Sequence, residues 1–209
     1  MSRGCIRNMS APAPTLILAS GSPRRQELIR LLGLPLEVVP SNVDEDTPTE
    51  WTPEQIVEGL SQRKALAVRE QLASGQAPDS SIIIGSDTIV VLDREVMGKP
   101  RDKEDALRML RALSGGVHEV YTGVSCVRAS DGKAITSHRV TKVRMRKLTD
   151  EQLLRYIDSG EPMDKAGAYG IQELGSLLVE SIEGDFFTVV GLPVSLLAAM
   201  LETFGISKP

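Results

Sequence analysis

Apolar residues in this chain fall into two rhythms, short unbroken runs and stretches that recur every three or four positions, and their alternation predicts a mixed α/β fold. Leu16-Ile17-Leu18-Ala19 is a short apolar strand. It runs through Ser20-Gly21 into a helix with Ser22 as N-cap and Pro23 in the first position, and Leu28, Leu31 and Leu32 then follow at helical spacing until Gly33. Leu36 to Val39 is a second strand, ended by Pro40. Thr52-Pro53-Glu54-Gln55 is a capping box opening a helix to about Leu72, and Lys64 interrupts its apolar stripe of Ile56, Leu60 and Val68. Ser81 to Leu92 reads as a central strand covered on both faces, because both its flanks are continuously apolar.

Asp93-Arg94 then turns the chain into a hairpin partner, Glu95 to Lys99, stopped by Pro100. A helix follows with Asp102 and Asp105 as cap and dipole partners and Leu107, Leu110 and Leu113 inward. Two alternating strands, about Val117 to Ala129 and Ala134 to Arg146, are joined through Asp131-Gly132. Thr149-Asp150-Glu151-Gln152 caps a short helix to Asp158. Leu177 to Ile182 is a further strand, Gly184-Asp185 leads into Phe186-Phe187-Thr188-Val189-Val190, and Pro193 starts a last helix with Leu196, Leu197, Met200, Leu201 and Phe204 inward.

At 209 residues the chain suits one domain, over residues 15–206, and the flexible Ser74 to Ser80 linker is too short to divide it. Residues 1–14 lack the apolar core of a signal peptide and read as a disordered tail, with Met9 an alternative start. No apolar run reaches the roughly 20 residues of a membrane span. A formal net charge of −4 argues against a surface-wide binder of nucleic acid or acidic membrane, so any polyanion must be met locally. The two cysteines, Cys5 and Cys126, cannot form a disulfide framework, and with only His118 and His138 there is no zinc-type ligand set; a reducing cytoplasm is the expected setting.

Candidate chemistry begins at Arg24 and Arg25, which fall in the first turn of the first helix. The macrodipole already places positive charge there, so each guanidinium is disfavoured by about 0.3–1 kcal/mol unless an anion joins it. A phosphate supplies that anion, and free backbone N–H groups, Gly21 and two forked donors then make a polyphosphate cradle; the alternative is a solvated arginine pair. Ser41 to Pro48, with Asp44, Glu45 and Asp46, is either a solvated acidic loop or a site for a hard cation such as Mg²⁺. Lys64 either snorkels or points its ammonium at an anion. Gly85-Ser86-Asp87-Thr88 places a carboxylate inside a core strand, at a cost of several kcal/mol unless it is paired or binds metal; capping at a local bulge is the other reading. His118 and His138 read as core or surface histidines rather than catalytic bases, and Arg139, Lys142, Arg144, Arg146 and Lys147 as a charged strand face. Asp164 to Gly175, with glycines at 167, 170 and 175, is a loop whose backbone approaches a ligand or another segment, or a plain cluster of turns.

Taken in order, Ser20-Gly21-Ser22-Pro23-Arg24-Arg25, Asp44-Glu45, Lys64, Gly85-Ser86-Asp87-Thr88, Lys99-Pro100 and Ala166-Gly167-Ala168-Tyr169-Gly170-Ile171-Gln172 resemble the Maf proteins, nucleoside triphosphate pyrophosphatases that cleanse nucleotide pools. Neither a Walker lysine motif nor G-x-G-x-x-G is present. The resemblance covers Leu16 to Phe204 and implies an α/β fold with a mixed twisted sheet in two lobes around a central cleft, like that of inosine triphosphate pyrophosphatases. It implies that Ser20, Arg24, Arg25, Lys64 and Lys99 hold a triphosphate, that Glu45 and Asp87 hold Mg²⁺ or Mn²⁺, and that Asp87 orients or deprotonates water. It further implies that Gln172, with Arg24 and Thr88, selects dTTP and UTP. A glutamine amide carries the donor and acceptor that match the edge of uracil or thymine, whereas tying down its own loop is the alternative role. The substrate is then the only expected ligand besides metal, with no nucleic acid or membrane partner and room for a homodimer. A non-catalytic, nucleotide-binding regulator of cell division and a phosphatase releasing orthophosphate are the rival functions.

Overall fold

The computed structural model describes residues 14–72, 78 and 80–207. Apart from Pro14, the tail expected over residues 1–14 lies outside the described residues, as does most of the linker expected at Ser74 to Ser80. Strands β1 (Leu16–Leu18), β2 (Leu36–Val38), β3 (Ile82–Leu92), β4 (Glu95–Met97), β5 (Val117–Arg128), β6 (Ala134–Met145) and β7 (Val179–Glu183) form one sheet in the order β2-β1-β3-β5-β6-β7, with β4 beside β3. Helices α1 (Pro23–Arg30) and α2 (Pro53–Leu72) are the crossovers that make β1 parallel to both β2 and β3. From β3 onward every pairing is antiparallel, so the sheet is mixed.

Successive β3 residues alternate between two differently covered faces. Ile83, Ile89 and Val91 pack under α2 with Val57, Ala65 and Val68. This helix lies directly on the sheet: a Cβ at Gly85 would stand 2.0 Å from the Ser61 carbonyl oxygen, and one at Gly123 would stand 2.2 Å from that of Val57. The opposite face carries two cores. One joins β1 and β3 to α1 and α6 (Val194–Glu202) through Leu18, Ile29, Ile84, Leu197 and Leu201. The other joins β5 and β6 to α3 (Lys103–Leu113) and α4 (Asp150–Asp158) through Leu110, Leu113, Val143, Leu153 and Ile157. These two cores are the expected lobes, and the segment from Ala168 to Ile171 crosses from one to the other.

A gap in the sheet creates the cleft. β1 pairs with β3 only as far as Ile84 and β4 only from Val90, so the edge of β3 from Gly85 to Ile89 faces no strand among the described residues. On its other side β3 runs in unbroken register with β5, from Ile82 opposite Arg128 to Val91 opposite Glu119, which removes the bulge considered for Asp87.

Two expectations need correction. β4 stops at Met97, leaving Lys99 in a loop, and β7 starts at Val179 because Glu173–Leu177 is a 3-10 turn with Leu177 exposed. Phe186–Val190 is a helix, α5, although its aromatic and β-branched residues favour a strand; Asp185 caps it by accepting from Phe187 N and Thr188 N. Among the described residues no helix is long and apolar enough to cross a membrane.

Candidate active site

A cleft of about 770 Å³ lies between the lobes, and every site residue named from the sequence lines it: Ser20, Arg24 and Arg25 where β1 enters α1, Glu45 from the acidic loop, Lys64 from α2, Asp87 and Thr88 from β3, Lys99 after β4, and Gln172. Its centre is an ion triad. Lys64 Nζ stands 2.7 Å from Asp87 Oδ1 and 2.6 Å from Glu45 Oε1. Lys64 and Asp87 are buried, 8% and 6% exposed, so each supplies the charge the other needs away from water. The lysine in the apolar stripe therefore points at anions belonging to the protein itself. Glu45 is more open, and the Lys64 hydrogen bond holds its carboxyl below the usual range against partial burial, with Lys64, Lys99 and Arg25 charges adding to the effect. Arg63, the neighbour of Lys64, donates to the carbonyls of Asp44 (2.6 Å) and Asp46 (2.9 Å), and so pins the acidic loop to α2.

The two arginines part company. Arg25 turns inward, donating from Nε to Gly191 O (2.8 Å), from Nη1 to Ser20 Oγ (3.3 Å) and from Nη2 to Thr88 Oγ1 (3.0 Å). Burial lowers its pKa, the Asp87 charge opposes the shift, and neighbouring Arg24 adds to it. Thr122 gives its one hydroxyl proton to Thr188 O (2.7 Å), so Thr88 is the donor in the 3.0 Å contact between Thr88 and Thr122. Ser86 also donates to Gly191 O. Arg25 and Thr88 are thus largely occupied in fixing the cleft floor. Arg24 instead reaches across the mouth to Asp164 Oδ2 (3.3 Å), which also pairs with Lys165. Partial burial would raise the Asp164 pKa, but Lys165 and Arg24 outweigh it and hold the carboxyl low. Lys99 is exposed and, among the described residues, makes no ion pair.

Gln172 stands half-buried at the cleft wall, with no side-chain hydrogen bond among the described residues. Neither histidine lines the cleft. His118 is buried behind it with Nε2 2.7 Å from Tyr169 Oη, and His138 pairs with Glu58 on the other side of the sheet. Lys142 and Arg144 are exposed on one face of β6 and Arg146 follows just past its end, whereas Arg139 falls on the other alternation, so the five basic residues expected as one face do not all share it.

Among the described residues no three His, Cys, Asp or Glu side chains gather as a metal cage. The donor set nevertheless fits a hard divalent cation. Glu45 and Asp87 offer carboxylate oxygens that already converge on one ammonium, and Mg²⁺ commonly takes one or two carboxylates and completes its shell with phosphate oxygens and water. Arg63, Thr122 and Asp164 escape the sequence reading; Asp164 sits beside the quoted glycine motif, and Arg63 beside Lys64, but nothing local marks Thr122.

A family model described as "Maf-like protein" matches residues 15–204. The chain is 48% identical over 193 residues to a dTTP/UTP pyrophosphatase of Acetivibrio thermocellus, covering 92% of this chain and 96% of that protein. It is 48% identical over 191 residues to one of Desulforamulus reducens (91% and 97% covered) and 49% identical over 187 residues to one of a Thermoanaerobacter species (90% and 95% covered).

Proposed function

Because the chain belongs to the family of Maf-like proteins, we propose that its cleft takes a nucleoside triphosphate, dTTP and UTP best, and hydrolyses it to the monophosphate and pyrophosphate. The observation that carries this reading is the Glu45–Lys64–Asp87 triad on the open edge of β3, a buried carboxylate paired with Lys64 beside a second one, in a cleft with Arg24 and Lys99 at its mouth. Lys99 and Arg24 offer donors to the outer phosphates, and Ser20, fixed by Arg25, offers a hydroxyl at the start of α1. Asp87 orients the attacking water and accepts its proton, while Lys64 holds the carboxylate in place. Glu45 and Asp87 would hold a Mg²⁺ or Mn²⁺ ion, which would supply Lewis-acid charge at the phosphates. The Gln172 amide reads the carbonyl and imide edge of uracil or thymine. The reaction belongs in the cytoplasm, with the triphosphate pool.

A panel of dTTP, UTP, CTP, GTP and 7-methyl-GTP, each with Mg²⁺ or Mn²⁺, tests the proposal when the phosphate product is identified. Pyrophosphate from dTTP and UTP, abolished by excess chelator, is expected. Orthophosphate as the first product, activity that persists in chelator, or a preferred purine would overturn it, and nucleotide binding without turnover would favour a regulator.

A further inference from the structure

The loop that carries Gln172 is built from short 3-10 turns, Glu161–Asp164, Ala166–Ala168 and Glu173–Leu177, which offer few backbone hydrogen bonds of their own. Its backbone is also strained, since Ala168 (φ 58°) and Glu173 (φ 51°) occupy the left-handed region at a cost of about 1 kcal/mol or more each. Such a segment keeps one shape only when its surroundings determine it. One carboxylate does most of this. Glu161 accepts from Leu174 N through Oε2 (3.0 Å), and from Gly175 N (3.0 Å) and Tyr156 Oη (3.0 Å) through Oε1. Tyr156 Oη in turn accepts from Gly170 N (3.2 Å). Both ends of the segment 170–175 are therefore fastened to one carboxylate and phenol, with Gln172 between them. The ends also touch, for a Cβ on Gly175 would stand 1.9 Å from Gly170 O.

We propose that Glu161 is the positioning residue for base discrimination: by tying Gly170, Leu174 and Gly175 together, it holds the Gln172 amide at one place and angle on the cleft wall. The proposal rests on the reading of Gln172 as the base-contacting group. Buried polar discrimination is steep because a mismatched base leaves donors unpaired, and it survives only while the reading group is held. The carboxylate is needed as such, because all three partners donate to it, and an amide at the same place would turn an NH₂ toward one of them.

The test compares kcat and KM for dTTP and CTP in wild type, Glu161→Gln, Tyr156→Phe, Gln172→Ala and the Glu161→Gln/Gln172→Ala double variant, with amide exchange measured at Gly170, Leu174 and Gly175. Glu161→Gln should lower the dTTP-to-CTP ratio of kcat/KM by about tenfold, through a higher KM for dTTP, with kcat within about threefold and faster exchange of the Leu174 and Gly175 amides. Tyr156→Phe should move the ratio the same way and free the Gly170 amide, and it decides the matter should Glu161→Gln not fold. The double variant should discriminate no worse than Gln172→Ala alone. If Gln172→Ala lowers the ratio while Glu161→Gln and Tyr156→Phe leave it unchanged, the positioning role is wrong and the base reading stands. If Gln172→Ala leaves the ratio unchanged, the base reading itself falls and the proposal with it. Equal loss of kcat on both nucleotides in the Glu161 variant would mark a general structural role and overturn the proposal.

Discussion

Asp87 and Lys64 are buried together, and what one side chain does there cannot be separated from its partner. Asp87→Asn preserves shape and leaves Lys64 its contact with Glu45, so the fold should survive while the carboxylate proposed as proton acceptor and metal ligand is lost. The expected outcome is a fall in kcat of about 10²-fold or more with an unchanged circular dichroism spectrum. A variant that keeps over about a tenth of the wild-type rate would make Asp87 a structural partner of Lys64 alone. Lys64→Ala should be the more damaging to stability, because it strands a buried carboxylate without its cation: a loss of about 3–5 kcal/mol in denaturant unfolding is expected, and a loss under about 1 kcal/mol would show that water reaches Asp87 readily.

At the scale of elements, the position of Lys64 depends on how closely α2 lies on the sheet. Gly85 permits that approach, and a methyl group there meets the Ser61 carbonyl at 2.0 Å, backbone that cannot swing aside. Gly85→Ala should therefore lift α2, costing about 3 kcal/mol and about 6–12 °C in Tm, and should weaken turnover through the displaced Lys64. An unchanged Tm would mean that α2 slides without loss. The short helix α5 gives a parallel case: Asp185 caps it and also accepts from Thr188 Oγ1, and its C-terminal Gly191 presents the carbonyl that Arg25 and Ser86 share. Asp185→Ala should cost about 1–2 kcal/mol in denaturant unfolding.

For the whole molecule, pH acts through a residue that does not itself line the cleft. Burial lowers the His118 pKa from 6.5 to about 4, so between those values the unfolded chain takes up a proton that the folded protein refuses. Stability is thus present above pH 6.5 and drains away as pH falls toward 4, by about 2 kcal/mol between pH 7 and 5. Urea unfolding at the two pH values measures it. His118→Gln, which cannot titrate but can still bond Tyr169 Oη, should flatten the difference, and equal slopes in the two proteins would assign the effect to another group.

Much of this architecture is local and therefore legible from the chain. Ser22, Thr52, Asp102 and Thr149 cap their helices within three residues of the groups they satisfy, and the continuously apolar flanks of β3 mark a strand covered on both faces. Ordered motifs also name the residues that line the cleft. Local preference misleads at Phe186–Val190, where a side-chain cap and packing override β-propensity, and it gives no account of partners. Arg25 bonds Gly191 across 166 positions, Arg24 meets Asp164 across 140, and Lys64 meets Asp87 across 23. Residue types by themselves make two adjacent arginines equivalent and leave Lys64 free for a phosphate. Sheet order, the gap between β1 and β4, and the close seating of α2 decided that one arginine braces the floor, the other spans the mouth, and the lysine holds two carboxylates, because only folding sets the distances over which charges and hydrogen bonds act.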